Sequence, residues 1–106
     1  MTSFLLFTLA ACDQTNNNKI DMSNNPFAEA STLPFEAPDF DAIENEHFIP
    51  AFREGMRIQL EEMEQIASNP EAPTFENTIV EMEKSGALLS RTQSVFFNLT
   101  SAHTNP

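Results

Sequence analysis

Five consecutive residues, Asn69-Pro70-Glu71-Ala72-Pro73, constrain the fold of this chain more than any others. Two prolines within four positions forbid a continuing helix, while apolar residues recur at helical spacing on both sides of the break. Before it, Phe48, Phe52, Met56, Leu60, Met63 and Ala67 follow one another at steps of three and four. After it, Phe75, Ile79, Met82, Gly86, Leu89, Gln93 and Phe96 do the same. Two helices joined by so short a connection fold back as an antiparallel αα-hairpin.

The first helix is expected over about 46–67 and the second over about 75–102. Pro50 cannot donate to a carbonyl four residues back, so regular helix is expected to start near Ile49 or to kink there. Thr74 is placed to cap the second helix, with Glu76 in the first turn where the helix dipole favours a carboxylate. The spacing persists through Ser85-Gly86, which points to a kink or a close helix contact at Gly86. Asp41-Ala42-Ile43-Glu44 reads as a capping box opening a short turn. No strand-like alternation and no internal repeat accompany these segments, and the fold class is all-α. Such a hairpin covers only one side of its apolar stripe, and the other side calls for a partner.

Upstream, Pro26, Pro34 and Pro38 hold their predecessors extended, so 26–40 reads as a Pro-containing arm. Residues 13–25, with Asn16, Asn17, Asn18, Asn24 and Asn25 among few apolar side chains, read as a polar tether. Phe4 to Ala11 is apolar over eight residues, far short of the roughly 20 that span a bilayer as a helix. It is followed by Cys12, and Leu9-Ala10-Ala11-Cys12 resembles a bacterial lipobox, which makes 1–12 a leader and Cys12 the lipidated residue. Met1-Thr2-Ser3 lacks the basic residues expected ahead of such a leader, which points to a start further upstream. Asp13, directly after the cysteine, resembles the signal that retains lipoproteins at the inner membrane. The expected address is the cell envelope, lipid-anchored and facing the periplasm. As the single cysteine, Cys12 leaves no intramolecular disulfide and no thiolate metal cluster.

The formal charge of −11 arises from 16 acids against 5 bases, a field that repels phosphate backbones and argues against nucleic-acid binding. Glu54, Glu61, Glu62, Glu64, Glu81 and Glu83 interleave with the apolar positions and are expected on solvated helix faces. All ten aromatic residues are Phe, and Phe48, Phe52, Phe75, Phe96 and Phe97 are expected to pack. Chemistry is harder to find. With Gly55 and Gly86 as the only glycines, no Gly-rich phosphate loop can form. The serines lack the elbow sequence of a nucleophile. His47 and His103 are not arranged as HExxH, the motif that sets two imidazoles on one helical face with a Glu between. No catalytic and no metal-binding residue is assigned.

One resemblance is specific. The blocks Asn25-Pro26-Phe27, Ser31-Thr32-Leu33-Pro34, Ala37-Pro38-Asp39-Phe40-Asp41, Glu46-His47-Phe48 and Pro50-Ala51-Phe52 look like the opening of the thimet oligopeptidase-type zinc metallopeptidases, in their peptidyl-dipeptidase branch. The likeness continues through Ala67-Ser68-Asn69-Pro70, Phe75-Glu76-Asn77-Thr78-Ile79, Ser85-Gly86-Ala87-Leu88-Leu89-Ser90-Arg91, Ser94-Val95-Phe96-Phe97 and Ala102-His103-Thr104-Asn105. It covers about 80 of the 106 residues, whereas the pattern of oligopeptidase A is shared more loosely. The resemblance implies a mostly helical enzyme that releases dipeptides from the C-termini of short peptides, using zinc-bound water in a channel between two lobes. It implies further that this chain is the N-terminal segment, with 41–106 the incomplete start of the peptidase domain and part of its channel wall. The family's zinc ligands lie in its C-terminal half and map onto no position here, so the chain alone is expected to bind no zinc and to be inactive. The alternative is a small helical lipoprotein that acts as an interaction module.

Overall fold

The computed structural model describes residues 18–104; the leader, Cys12 and Asp13 lie outside them. Among the described residues there are helices and turns and no strand, so the all-α reading holds. Two short 3₁₀ turns, Pro34–Glu36 and Asn45–His47, precede helix α1, Phe48–Ala67. A six-residue turn of the wider π type, Phe75–Val80, runs into α2, Glu81–Lys84, and α3 follows at Ala87–Ala102.

Pro50 does not kink α1. It is the third residue of the helix, where the backbone N–H has no intrahelical acceptor to lose. The expected capping box at Asp41 is displaced: Ala42 N–H closes a turn on Asp39 O, and the cap proper is Glu44, whose N–H donates to His47 Nδ1 at 3.0 Å. His47 therefore serves the backbone of a helix start. Thr74 caps as expected. Its Oγ1 accepts from Asn77 N–H at 3.0 Å while Asn77 Oδ1 accepts from Thr74 N–H at 2.8 Å. The connection between the helices is stiffened by Asn69 Oδ1, which accepts from Glu71 N–H, and by Asn77 Nδ2, which donates to Ala72 O.

The second helical arm kinks at Ser85-Gly86, as expected, and the kink interrupts its hydrogen-bond ladder. Ser85 is extended (φ −72°, ψ 158°) and Gly86 is left-handed (φ 71°, ψ 25°), a conformation that costs an L-residue about 1–2 kcal/mol. Glu62 Oε2 accepts the freed Gly86 N–H at 2.7 Å, so α1 stitches the break in its partner. Gly86 also lies close against α1, where an added Cβ would come within 2.8 Å of the Gln59 side chain, and a second close contact lies at Gly55, where it would come within 3.0 Å of the Leu89 backbone.

The core is small: Phe27, Phe48, Ala51, Leu88 and Val95, with Met22, Ile43, Phe52, Ile58, Phe96 and Leu99 packed against it. Its aromatic spine runs Phe27–Phe48–Phe96–Phe52 at centroid separations of 5.3, 5.4 and 5.4 Å, the tilted and edge-on contacts that ring quadrupoles favour. Two expectations about burial fail. Met56, Leu60, Phe75, Ile79, Met82 and Phe97 are exposed, and Glu54, expected in solvent, is buried. The physical reason is drift. Each residue turns a helix by 100°, so steps of four advance by about 40° each, and the row Phe48, Phe52, Met56, Leu60 walks off the buried face. The buried line on α1 is Phe48, Ala51 and Gly55.

Candidate functional site

Helix α1 positions the one buried carboxylate of the described residues. Glu54 is 2% exposed. Its carboxylate accepts from Arg57 twice, Nη2 to Oε1 at 2.8 Å and Nε to Oε2 at 3.0 Å, and from Ile20 N–H at 2.9 Å. The i, i+3 spacing on one helix puts the guanidinium fork against the carboxylate. Arg57 Nη1 also reaches Glu61 Oε1, one turn on. Arg57 holds the Glu54 carboxyl below the usual carboxylate range; burial opposes this, and the Ile20 N–H and the charges of Arg57 and Lys19 reinforce it. Reciprocally, Glu54 raises Arg57. A carboxylate so lowered is a poor proton acceptor, and three of its roughly four acceptor sites are already taken. It works as a clamp that fastens residues 20–22 to α1.

A second tie lies on α3. Arg91 Nη2 donates to Phe27 O at 3.0 Å and Ala28 O at 3.2 Å, while its Nε is buried without a hydrogen-bond partner. Asn25 completes the fastening, donating from Nδ2 to His47 O at 2.9 Å and accepting Phe27 N–H at 3.0 Å. Residues 18–28, which include the end of the expected tether and the start of the Pro-containing segment and are called the arm from here on, therefore lie bonded along one flank of the hairpin. Between the arm and α3 runs a cleft of about 750 Å³ whose wall includes Glu29, Thr32, Asp39, Ser90, Arg91 and Ser94. Ser23, also in its wall, is hydrogen-bonded to the exposed Asp21 carboxylate, which that bonding holds below its ordinary range and makes a poor base.

The residues singled out from sequence do not converge. His47 caps a turn, and His103, past the end of α3, closes it through its backbone N–H to Leu99 O at 2.7 Å. Among the described residues no three His, Cys, Asp or Glu side chains gather as metal ligands, and no helix is long and apolar enough to cross a membrane. Residues of this kind do not fit a zinc site, and no catalytic step is assigned to them. What sequence reasoning missed is the clamp: a Glu–Arg pair at i, i+3 is legible, but nothing local marks Ile20, 34 residues away, as the third member.

Fold and site together define an all-α hairpin braced along one flank by its N-terminal arm. No family model matches the chain. Two curated proteins do. The dipeptidyl carboxypeptidase of Salmonella typhimurium is 54% identical over 84 residues, and that of Escherichia coli K12 is 56% identical over 81. These matches cover 79% and 76% of this chain but 12% of each relative. Over that stretch the chain is a relative of the dipeptidyl carboxypeptidases, and it spans only 12% of their length.

Proposed function

We propose that this chain is the N-terminal helical segment of a zinc metallopeptidase of the peptidyl-dipeptidase type, which releases dipeptides from the C-termini of short peptides. The observation that carries the reading is the 54–56% identity, maintained across about four-fifths of the chain, to two dipeptidyl carboxypeptidases. Within such an enzyme the hairpin is part of the substrate-channel wall, and zinc and its activated water belong to residues elsewhere. The segment's contribution is shape. It supplies a rigid surface that narrows access so that short peptides enter and folded proteins do not.

The test is a graft. The stretch of the E. coli enzyme matched here is replaced by the corresponding residues of this chain, and dipeptide release from an N-blocked short peptide is followed by chromatography. Retained turnover is expected; a soluble, folded graft without activity would sink the reading. The free chain is expected to bind no zinc, and one zinc per chain in metal analysis of the purified protein would contradict that.

A lipid anchor at Cys12 is proposed with it, which would hold the enzyme on the periplasmic side of the envelope, with Asp13 favouring the inner membrane. Cys12→Ala should move the protein from the detergent phase to the aqueous phase in a partition assay, and unchanged partition would remove the anchor from the reading. A second reading, a small helical lipoprotein that binds another protein, draws on the apolar residues left exposed on the hairpin. An open reading frame that continues past the Pro106 codon into HExxH would exclude it.

A further inference from the structure

The two flanks of the hairpin are unequal. On α1 the line that meets α3 runs through Phe48, Ala51 and Gly55. Rotating one way from it by the 100° per residue of a helix reaches Glu54 and Ile58, which the arm covers with Ile20 and Met22. Rotating the other way reaches Ile49, Met56 and Leu60. On α3 the arm flank carries Arg91, bonded to Phe27 and Ala28, and the opposite flank carries Phe97. Because the helices are antiparallel, flanks of the same rotational sense lie on the same side. The stretch before the break adds Phe75, Ile79 and Met82 to that side, since Asn77, Glu81 and Lys84 are the residues turned toward α1. These seven large apolar residues are 46–65% exposed.

We propose that this open side is a docking surface for an apolar helix supplied by the part of a peptidyl-dipeptidase that lies beyond the matched stretch; the proposal rests on the functional reading above. Three observations choose the occupant. In the two relatives the matched stretch is 12% of the chain, so it is accompanied there by far more polypeptide. A second copy is disfavoured because each copy carries a charge of −11, and pairing them brings two strongly negative fields together. The exposed rows, Ile49, Met56 and Leu60 on α1 and Phe75, Ile79 and Met82 before the break, advance by whole helical turns of seven, four and three residues, leaving the ridges and grooves against which a third helix packs. Two of the seven are methionines, Met56 and Met82, whose flexible side chains adapt to a partner's relief.

Those methionines also report on it. Oxidation by dilute hydrogen peroxide, followed by peptide mass spectrometry, is compared between the free 106-residue chain and the E. coli graft. Met56 and Met82 are expected to oxidise at least tenfold more slowly in the graft. Unchanged rates in a graft that releases dipeptides would overturn the docking surface while leaving the peptidase reading intact. Protection in a folded but inactive graft would do the reverse. A discrete dimer of the free chain in which both methionines are protected would also overturn the proposal, since the occupant would then be a second copy. As an independent measure, Met56→Asp with Met82→Asp is expected to lower the melting temperature of the graft by several degrees and leave the free chain's midpoint unchanged; equal shifts in both would count against docking.

Discussion

The arm side and the open side of the hairpin are built from the same two helices, yet only one is closed by this chain's own residues. On the arm side, apolar burial is accompanied by polar ties of long sequence separation: Glu54 to Ile20, Asn25 to His47, Arg91 to Phe27 and Ala28. On the open side the apolar residues are as large, but nothing in the described residues covers them. The difference teaches that hydrophobicity alone did not decide which face became the core. The arm lands where a buried carboxylate and a guanidinium satisfy its backbone groups and its own Asn25 satisfies the His47 carbonyl, since an unmade hydrogen bond there would cost about 1–3 kcal/mol.

The contrast can be broken most strongly at the aromatic spine. Phe48→Ala removes a ring packed between Phe27 and Phe96, and it should cost about 3 kcal/mol in urea unfolding of the chain. A loss below about 1 kcal/mol would mean that the arm is not packed on α1 in solution. Gly55→Val should cost about 1–3 kcal/mol, because the new side chain meets the Leu89 backbone rather than a movable side-chain end. Thr74→Ala removes the cap of the Phe75–Val80 turn and should cost about 1 kcal/mol, seen as a lower unfolding midpoint.

Glu54→Gln sharpens the contrast through pH. Because Arg57 lowers the folded-state pKa of Glu54, its ionised form favours the folded chain above the ordinary carboxylate range. That stability is lost as pH falls through the depressed folded value. The variant should therefore melt below the wild type at pH 7, and the two should converge in acid. A constant gap across the titration would show that the charge of Glu54 is not what matters. The smallest effect belongs to the open side. Phe75→Ser or Met82→Gln in the free chain should change stability by less than about 0.5 kcal/mol, and a loss comparable to Phe48→Ala would show that this side is covered after all.

The sequence carried the hairpin, its loop and the Thr74 cap because each is encoded locally, by prolines, periodicity and a side-chain acceptor three residues from a free N–H. It carried the face poorly. Rows at steps of three and four fit two neighbouring stripes of one helix, and only the arm's position picks Phe48, Ala51 and Gly55 over Met56 and Leu60. The burial of Glu54 is hidden for the same reason: it depends on Ile20, which sits in a segment whose composition looks like a tether. The break at Ser85-Gly86 was half legible, since glycine marks a special backbone position but not the Glu62 carboxylate that receives its N–H. The absence of HExxH was readable outright. The clamp was not.

The reach of the Arg91 tie has a consequence for how the chain is made. Its acceptors at Phe27 and Ala28 lie 64 and 63 residues upstream, so the arm leaves the ribosome first and can dock only after α3 has been synthesised. The hairpin closes through a short loop and can form early, whereas the arm must wait for contacts of high sequence separation, which form late. Phe27, with Met22 near it, thus spends much of synthesis as exposed apolar surface ahead of its own binding site. Folding order here runs against chain order.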